Sequence, residues 1–116
     1  MCPNRRWIFA VSVIDLQDRA EEVAELLAAM ANTNRLMVMC NLLEGELAVH
    51  QLLERVPLAQ SAMSQHLSKL RALKLVATRR AGQTIYYRLA SDEVRQLLAL
   101  LKELYCEVPE GTAVAC

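Results

Sequence analysis

Apolar residues recur along this chain at the two spacings that mark regular structure, about 3.6 residues for a helix and two for a strand. Leu16, Ala20, Val23, Leu27 and Met30 share one side of a helix predicted from Asp15 to Ala31, with Glu21, Glu22 and Glu25 between them. Asn32-Thr33-Asn34 breaks that helix and supplies an N-cap for a second, Arg35 to Leu43, whose apolar face is Leu36, Met39, Cys40 and Leu43. Gly45 follows as a stop. A short third helix, Ala48 to Val56, is predicted to bury Val49, Leu52 and Leu53. Pro57-Leu58 turns the chain into a fourth helix, Gln60 to Leu73, with Met63, Leu67 and Leu70 as its buried stripe. Two short helices across a tight turn make a helix-turn-helix unit.

Val76–Arg80 and the alternating, β-rich run Thr84–Leu89 flank Ala81-Gly82-Gln83, which predicts a hairpin with glycine in its turn. The last helix starts near Ser91-Asp92 with Ser91 as N-cap. Val94, Leu97, Leu98, Leu101, Leu104 and Tyr105 line one side of it, and Leu100 widens the apolar surface. One small hairpin cannot cover that much, so a homodimer is expected. Its contacts are expected from Leu16 and Val23 at the start and Leu97, Leu98, Leu101, Leu104 and Tyr105 at the end. The expected class is mainly α with a small β-hairpin. One folded domain spans 15–107, between an N-terminal tail or strand-like arm (1–14) and an unstructured tail (108–116).

Composition sharpens this. The 116 residues are 54% apolar and 4% aromatic, which suits packed helices more than a β-sandwich. The formal charge is zero, but its distribution is lopsided. From Arg55 to Ser91 stand Arg55, Lys69, Arg71, Lys74, Arg79, Arg80 and Arg88 with no carboxylate. Such a segment predicts a polyanionic partner. On the fourth helix, Gln60, Ser61, Ser64, Gln65, Ser68, Lys69 and Arg71 form the polar-to-basic face that base edges and phosphates require, and Arg79, Arg80 and Gln83 extend it onto the hairpin as a wing. Arg5 and Arg6 precede an apolar run from Trp7 to Ile14, far short of the roughly twenty residues of a membrane span. A cytoplasmic protein without a membrane partner is expected. No nucleophile–base grouping or glycine-rich phosphate loop points to an enzyme.

Four cysteines occur, Cys2, Cys40, Cys106 and Cys116, with no CxxC spacing. Reduced thiols are the expectation without a secretory context. Cys40 alone reads as a small core hydrophobe. Cys106 falls off the Val94–Tyr105 stripe, and core filling explains it less well. Cys2 and Cys116 lie in the tails and receive no role.

The order helix, helix, helix-turn-helix, hairpin, helix resembles the ArsR/SmtB family of prokaryotic repressors over residues 16 to 107. The stretches that carry the resemblance are Met30-Ala31-Asn32-Thr33-Asn34-Arg35-Leu36, Glu46-Leu47-Ala48-Val49-His50-Gln51-Leu52 and Gln60 to Arg71. Thr78-Arg79-Arg80 and Gln83 to Leu89 complete it. The resemblance implies a winged helix-turn-helix homodimer that occludes double-stranded operator DNA and is released by a chemical signal. The family's thiolate metal site falls on positions that hold Ala48 and His50 here, and the last helix has Asp92 and Glu93 but no histidine, so no metal or cofactor is expected.

Cys40 and Cys106 resemble the subgroup that senses sulfide-derived persulfides. That implies a di- or polysulfide bridge between them within one subunit, with reactive sulfur species as inducer. The alternative is a repressor of virulence, biofilm or nodulation-type genes that responds to oxidants or lacks a cysteine switch. Two departures from the family pattern have physical consequences. Ala59 replaces the usual Ser or Thr cap of the fourth helix, a loss of about 1 kcal/mol. Lys74 stands where a glycine is common, which predicts a strained helix end. His66, beside the buried stripe, suits a structural hydrogen bond or a phosphate contact.

Overall fold

The computed structural model describes residues 16–106, so the arm 1–14, the tail 108–116, Cys2 and Cys116 lie outside it. The chain divides after Thr33 into two compact units. The first contains α1 (Ala20–Met30). Ahead of this helix the Arg19 guanidinium donates to both carboxylate oxygens of Glu22, at 3.0 and 2.9 Å. That bond holds the Glu22 carboxyl below its usual range. Of the predicted stripe only Met30 is buried; Leu16 and Leu27 are about half exposed, at 54% and 49%. Spacing located the helix, and these two leucines of its stripe stay about half exposed.

The second unit carries the remaining elements. These are α2 (Thr33–Leu42), β1 (Leu47–Ala48), α3 (Val49–Arg55), α4 (Gln60–Ala72), β2 (Val76–Ala81), β3 (Thr84–Leu89) and α5 (Asp92–Tyr105). Its fully buried side chains include Val38, Met39, Leu42, Leu52, Val56, Met63, Leu67, Leu70, Val94 and Leu98. The inner face of α2 is therefore Val38, Met39 and Leu42, rotated from the predicted one, and Leu36, Cys40 and Leu43 sit at its margin. On α3 only Leu52 is fully covered, while Val49 and Leu53 stay partly open. A helix this short shows little more than one residue to the core.

The hairpin has the expected place and a tighter turn. Val76↔Leu89 through Ala81↔Thr84 pair antiparallel, which leaves only Gly82 and Gln83 between strands. Gly82 takes φ 65°, as a two-residue hairpin turn demands of its first residue. The two residues of β1 pair with β3 as Leu47↔Tyr87 and Ala48↔Tyr86, giving the sheet order β1-β3-β2. Two residues carry no detectable period, so the sequence reads Ala48 as the start of a helix and leaves Leu47 outside it. The α3 helix begins right after it, and the Gln51 side chain accepts from the Ala48 N–H at 2.8 Å. Ser91 caps α5 as expected, its Oγ accepting from the Val94 N–H at 3.2 Å.

Candidate nucleic-acid interface

The α4 helix divides cleanly. Met63, Leu67 and Leu70 are at most 1% exposed, whereas Gln60, Ser61, Ser64, Gln65, Ser68, Lys69 and Arg71 all face solvent. No carboxylate interrupts that outer face, so it offers neutral donors and acceptors near its start and cations toward its end. Ala59 leaves the first turn without a side-chain cap. The far end closes on Lys74 at φ 63°. Its N–H reaches the Arg71 carbonyl at 2.9 Å and the Leu75 N–H reaches Leu70, also at 2.9 Å. This is the doubly bonded αL stop that glycine normally makes. The strain anticipated at Lys74 is present as a left-handed lysine. His66 is partly buried, and desolvation first, then the charges of Arg35 and Lys69, hold its imidazole below the usual range, toward the neutral form.

Past the turn at 73–75, the wing shows Arg80, Gln83 and Arg88 to solvent. Arg79 differs from them. Its Nε donates to both oxygens of Glu46, at 2.8 and 2.9 Å, and its Cζ lies 4.8 Å from the centre of the Tyr86 ring. Glu46 was invisible to sequence reasoning as a partner, because 33 positions separate the pair and only the sheet joins them.

The cysteine positions occupy another part of this unit. Cys40 is a half-buried free thiol. Burial pushes its pKa up, and the Lys102 ammonium opposes that in part. Cys106 is the C-cap of α5, and its N–H donates to the Lys102 carbonyl at 2.8 Å. Cys106 is disulfide-bonded and Cys40 is free, so the two are not joined to each other here. The expectation of thiols throughout is corrected at this residue. A half-buried cap at a helix end can be reached by a sulfur from outside the helix.

On the expected dimer surface, Leu104 and Tyr105 are 61% and 81% exposed, and Leu100 is half exposed. Leu97 and Leu101 are partly covered. Leu98 is fully buried within the single chain and supports that surface rather than forming it. Among the described residues no three His, Cys, Asp or Glu side chains group as a metal site, and no helix is long and apolar enough to cross a membrane.

Comparison with known proteins agrees with this geometry. Residues 32–78 match the model of the arsR family of bacterial regulatory proteins. The chain is 45% identical over 93 residues to the transcriptional activator HlyU of Vibrio cholerae, covering 80% of this chain and 86% of that protein. It is 52% identical over 86 residues to the nodulation protein NolR of Rhizobium meliloti, covering 74% and 70%. It is 39% identical over 92 residues to the biofilm growth-associated repressor of Xylella fastidiosa, covering 79% and 81%. A structure of reduced HlyU superposes with a TM-score of 0.76 over 80% of this chain and 98% of that one, at 45% identity. The helix-turn-helix, the wing and these relatives place the chain in the arsR family, as a DNA-binding transcription regulator of winged helix-turn-helix fold and not an enzyme.

Proposed function

We propose that the chain is a homodimeric repressor that holds operator DNA while Cys40 and Cys106 are unlinked, and releases it when reactive sulfur species bridge them within one subunit. The observation that carries the DNA-binding part of this reading is the carboxylate-free polar and basic outer side of α4, set opposite its fully buried stripe, and the free Cys40 thiol and the Cys106 cap of α5 are the residues the switch would use. In the reading, Gln60, Ser61, Ser64 and Gln65 meet base edges, while Ser68, Lys69, Arg71, Arg80 and Gln83 hold the backbone. A second copy covers Leu97, Leu101, Leu104 and Tyr105, with Leu16 and Val23 contributing from the first unit.

The chemistry balances without an external oxidant. In the reduced protein the Cys40 thiolate takes the outer sulfur of a persulfide RSSH, which leaves as RSH, and Cys40 becomes a persulfide. The Cys106 thiolate then attacks the inner sulfur of that persulfide and expels hydrosulfide, which closes a disulfide. If both cysteines are persulfidated first, the same closure gives a trisulfide and one hydrosulfide. Pinning α2 to the end of α5 repositions the recognition helices of a dimer. Their half-site spacing must match about one DNA turn.

The test uses the reduced full-length chain and a duplex selected from a random library. A persulfide donor is expected to weaken binding by about 5–150-fold. Cys40→Ser and Cys106→Ser should each bind DNA and ignore the donor, while Cys2→Ser and Cys116→Ser respond as the parent does. Peptide mass spectrometry should find the Cys40 and Cys106 peptides of one chain joined by a disulfide, or by a trisulfide where both thiols were persulfidated first. A peroxide arm separates persulfide from general oxidants. Release of DNA from Cys40→Ser would overturn the switch. A repressor of the nodulation or biofilm kind, with Cys40 as a packing residue, would then stand, and the burial that raises the Cys40 pKa supports that second reading.

A further inference from the structure

Arg79 and Arg80 are neighbours on the wing, yet they cannot do the same work. Side chains alternate across a strand. Arg80 pairs with Ile85 and shares a face with Val76 and Leu89, both buried at the base of the hairpin. Arg79 pairs with Tyr86 on the other face, where Ala48 of β1 also pairs with Tyr86. Glu46, two positions before Ala48, belongs to that same face. Its carboxylate crosses the central strand and takes the Arg79 Nε at 2.8 and 2.9 Å. Tyr86 lies beneath the guanidinium, 4.8 Å from ring centre to Cζ.

We propose that Arg79 is a positioning residue that, with Glu46 and Tyr86, braces the wing to the strand leading into the helix-turn-helix, and that it is not one of the wing's phosphate-gripping cations. Three observations point the same way. The pair joins the two outer strands of a sheet whose β1 has only two residues, so backbone bonds alone hold that edge weakly. The Arg79 charge is already compensated, and a phosphate drawn to it meets the Glu46 carboxylate. The Glu46 side chain is only 30% exposed, so water screens it less than a free surface acid. A pair of this exposure contributes little to global stability. What it controls is the orientation of the hairpin relative to α3.

The proposal rests on the DNA-binding reading for one arm of its test and is independent of it for the other. In the first arm, binding of the full chain to a short duplex of mixed sequence is followed against salt. Arg80→Gln should reduce the slope of log K against log salt by about 0.9 for each phosphate contact removed. Arg79→Gln and Glu46→Gln should leave the slope unchanged. In the second arm, amide hydrogen exchange of β2 and β3 is measured without DNA. Arg79→Gln and Glu46→Gln should each speed it by about two- to five-fold. The double variant should be no faster than either, and Arg79→Lys, which keeps the charge but not the Nε, should not restore protection. A slope lowered by Arg79→Gln as by Arg80→Gln, or exchange that none of these changes alters, would overturn the brace. If the parent chain itself shows no salt-dependent binding, the DNA reading fails while the exchange arm still decides the brace.

Discussion

The outer sides of α4 and α5 make an instructive contrast. Both helices seat a stripe of fully covered residues, Met63, Leu67 and Leu70 on one and Val94 and Leu98 on the other. Beyond that stripe they diverge. The outer side of α4 is glutamine, serine, lysine and arginine, whereas the C-terminal half of α5 shows Leu100, Leu104 and Tyr105 to solvent. A fold needs only the inner stripe of each. The rest is left for partners, and its chemistry names their kind: polar donors and cations for a nucleic acid, and bare leucine and tyrosine for another protein surface.

The contrast can be broken from either side. Leu104→Glu should leave the single-chain fold intact, because the side chain is already exposed, yet weaken a dimer by about 2–4 kcal/mol. Analytical ultracentrifugation across a concentration series measures this, and unchanged association would show that α5 has no protein partner there. On α4, Gln65→Ala should cost about 1–3 kcal/mol of preference for a selected duplex over a random one while unfolding stays as in the parent. Equal loss on both duplexes would make Gln65 a backbone contact. The smallest effect concerns how α4 ends. Lys74→Gly removes the cost of a left-handed lysine but loosens the unfolded chain, for a net gain of about 0.5–1 kcal/mol in denaturant unfolding. A loss instead would mean that the Lys74 side chain makes a stabilising contact that outweighs its strain.

How far the sequence could be read depended on the range of each interaction. The stripe of α4, the Ser91 cap and the glycine of the hairpin turn were legible because each is written within a few residues. The left-handed Lys74 was legible as a departure from the glycine expected there. The inner face of α2 was misjudged because Leu36, Val38, Met39, Cys40, Leu42 and Leu43 surround the helix almost evenly, and only tertiary packing selects among them. The Glu46–Arg79 bond and the Lys102 charge beside Cys40 could not be read at all. Both depend on strands or helices distant in sequence being brought together. The solvent-facing polar side of α4 was therefore legible, but not the bond that engages one wing arginine.

Among the described residues the sheet ends at β2, which pairs with β3 on one side and with no strand on the other. An open edge of six residues is a template on which a second copy could add its own strand. Here Arg80 stands exposed on that edge, while the neighbouring Arg79 is held by Glu46. A like strand laid alongside would have to accommodate the Arg80 charge, which opposes joining. The exposed charge thus works against the wing growing into a shared sheet.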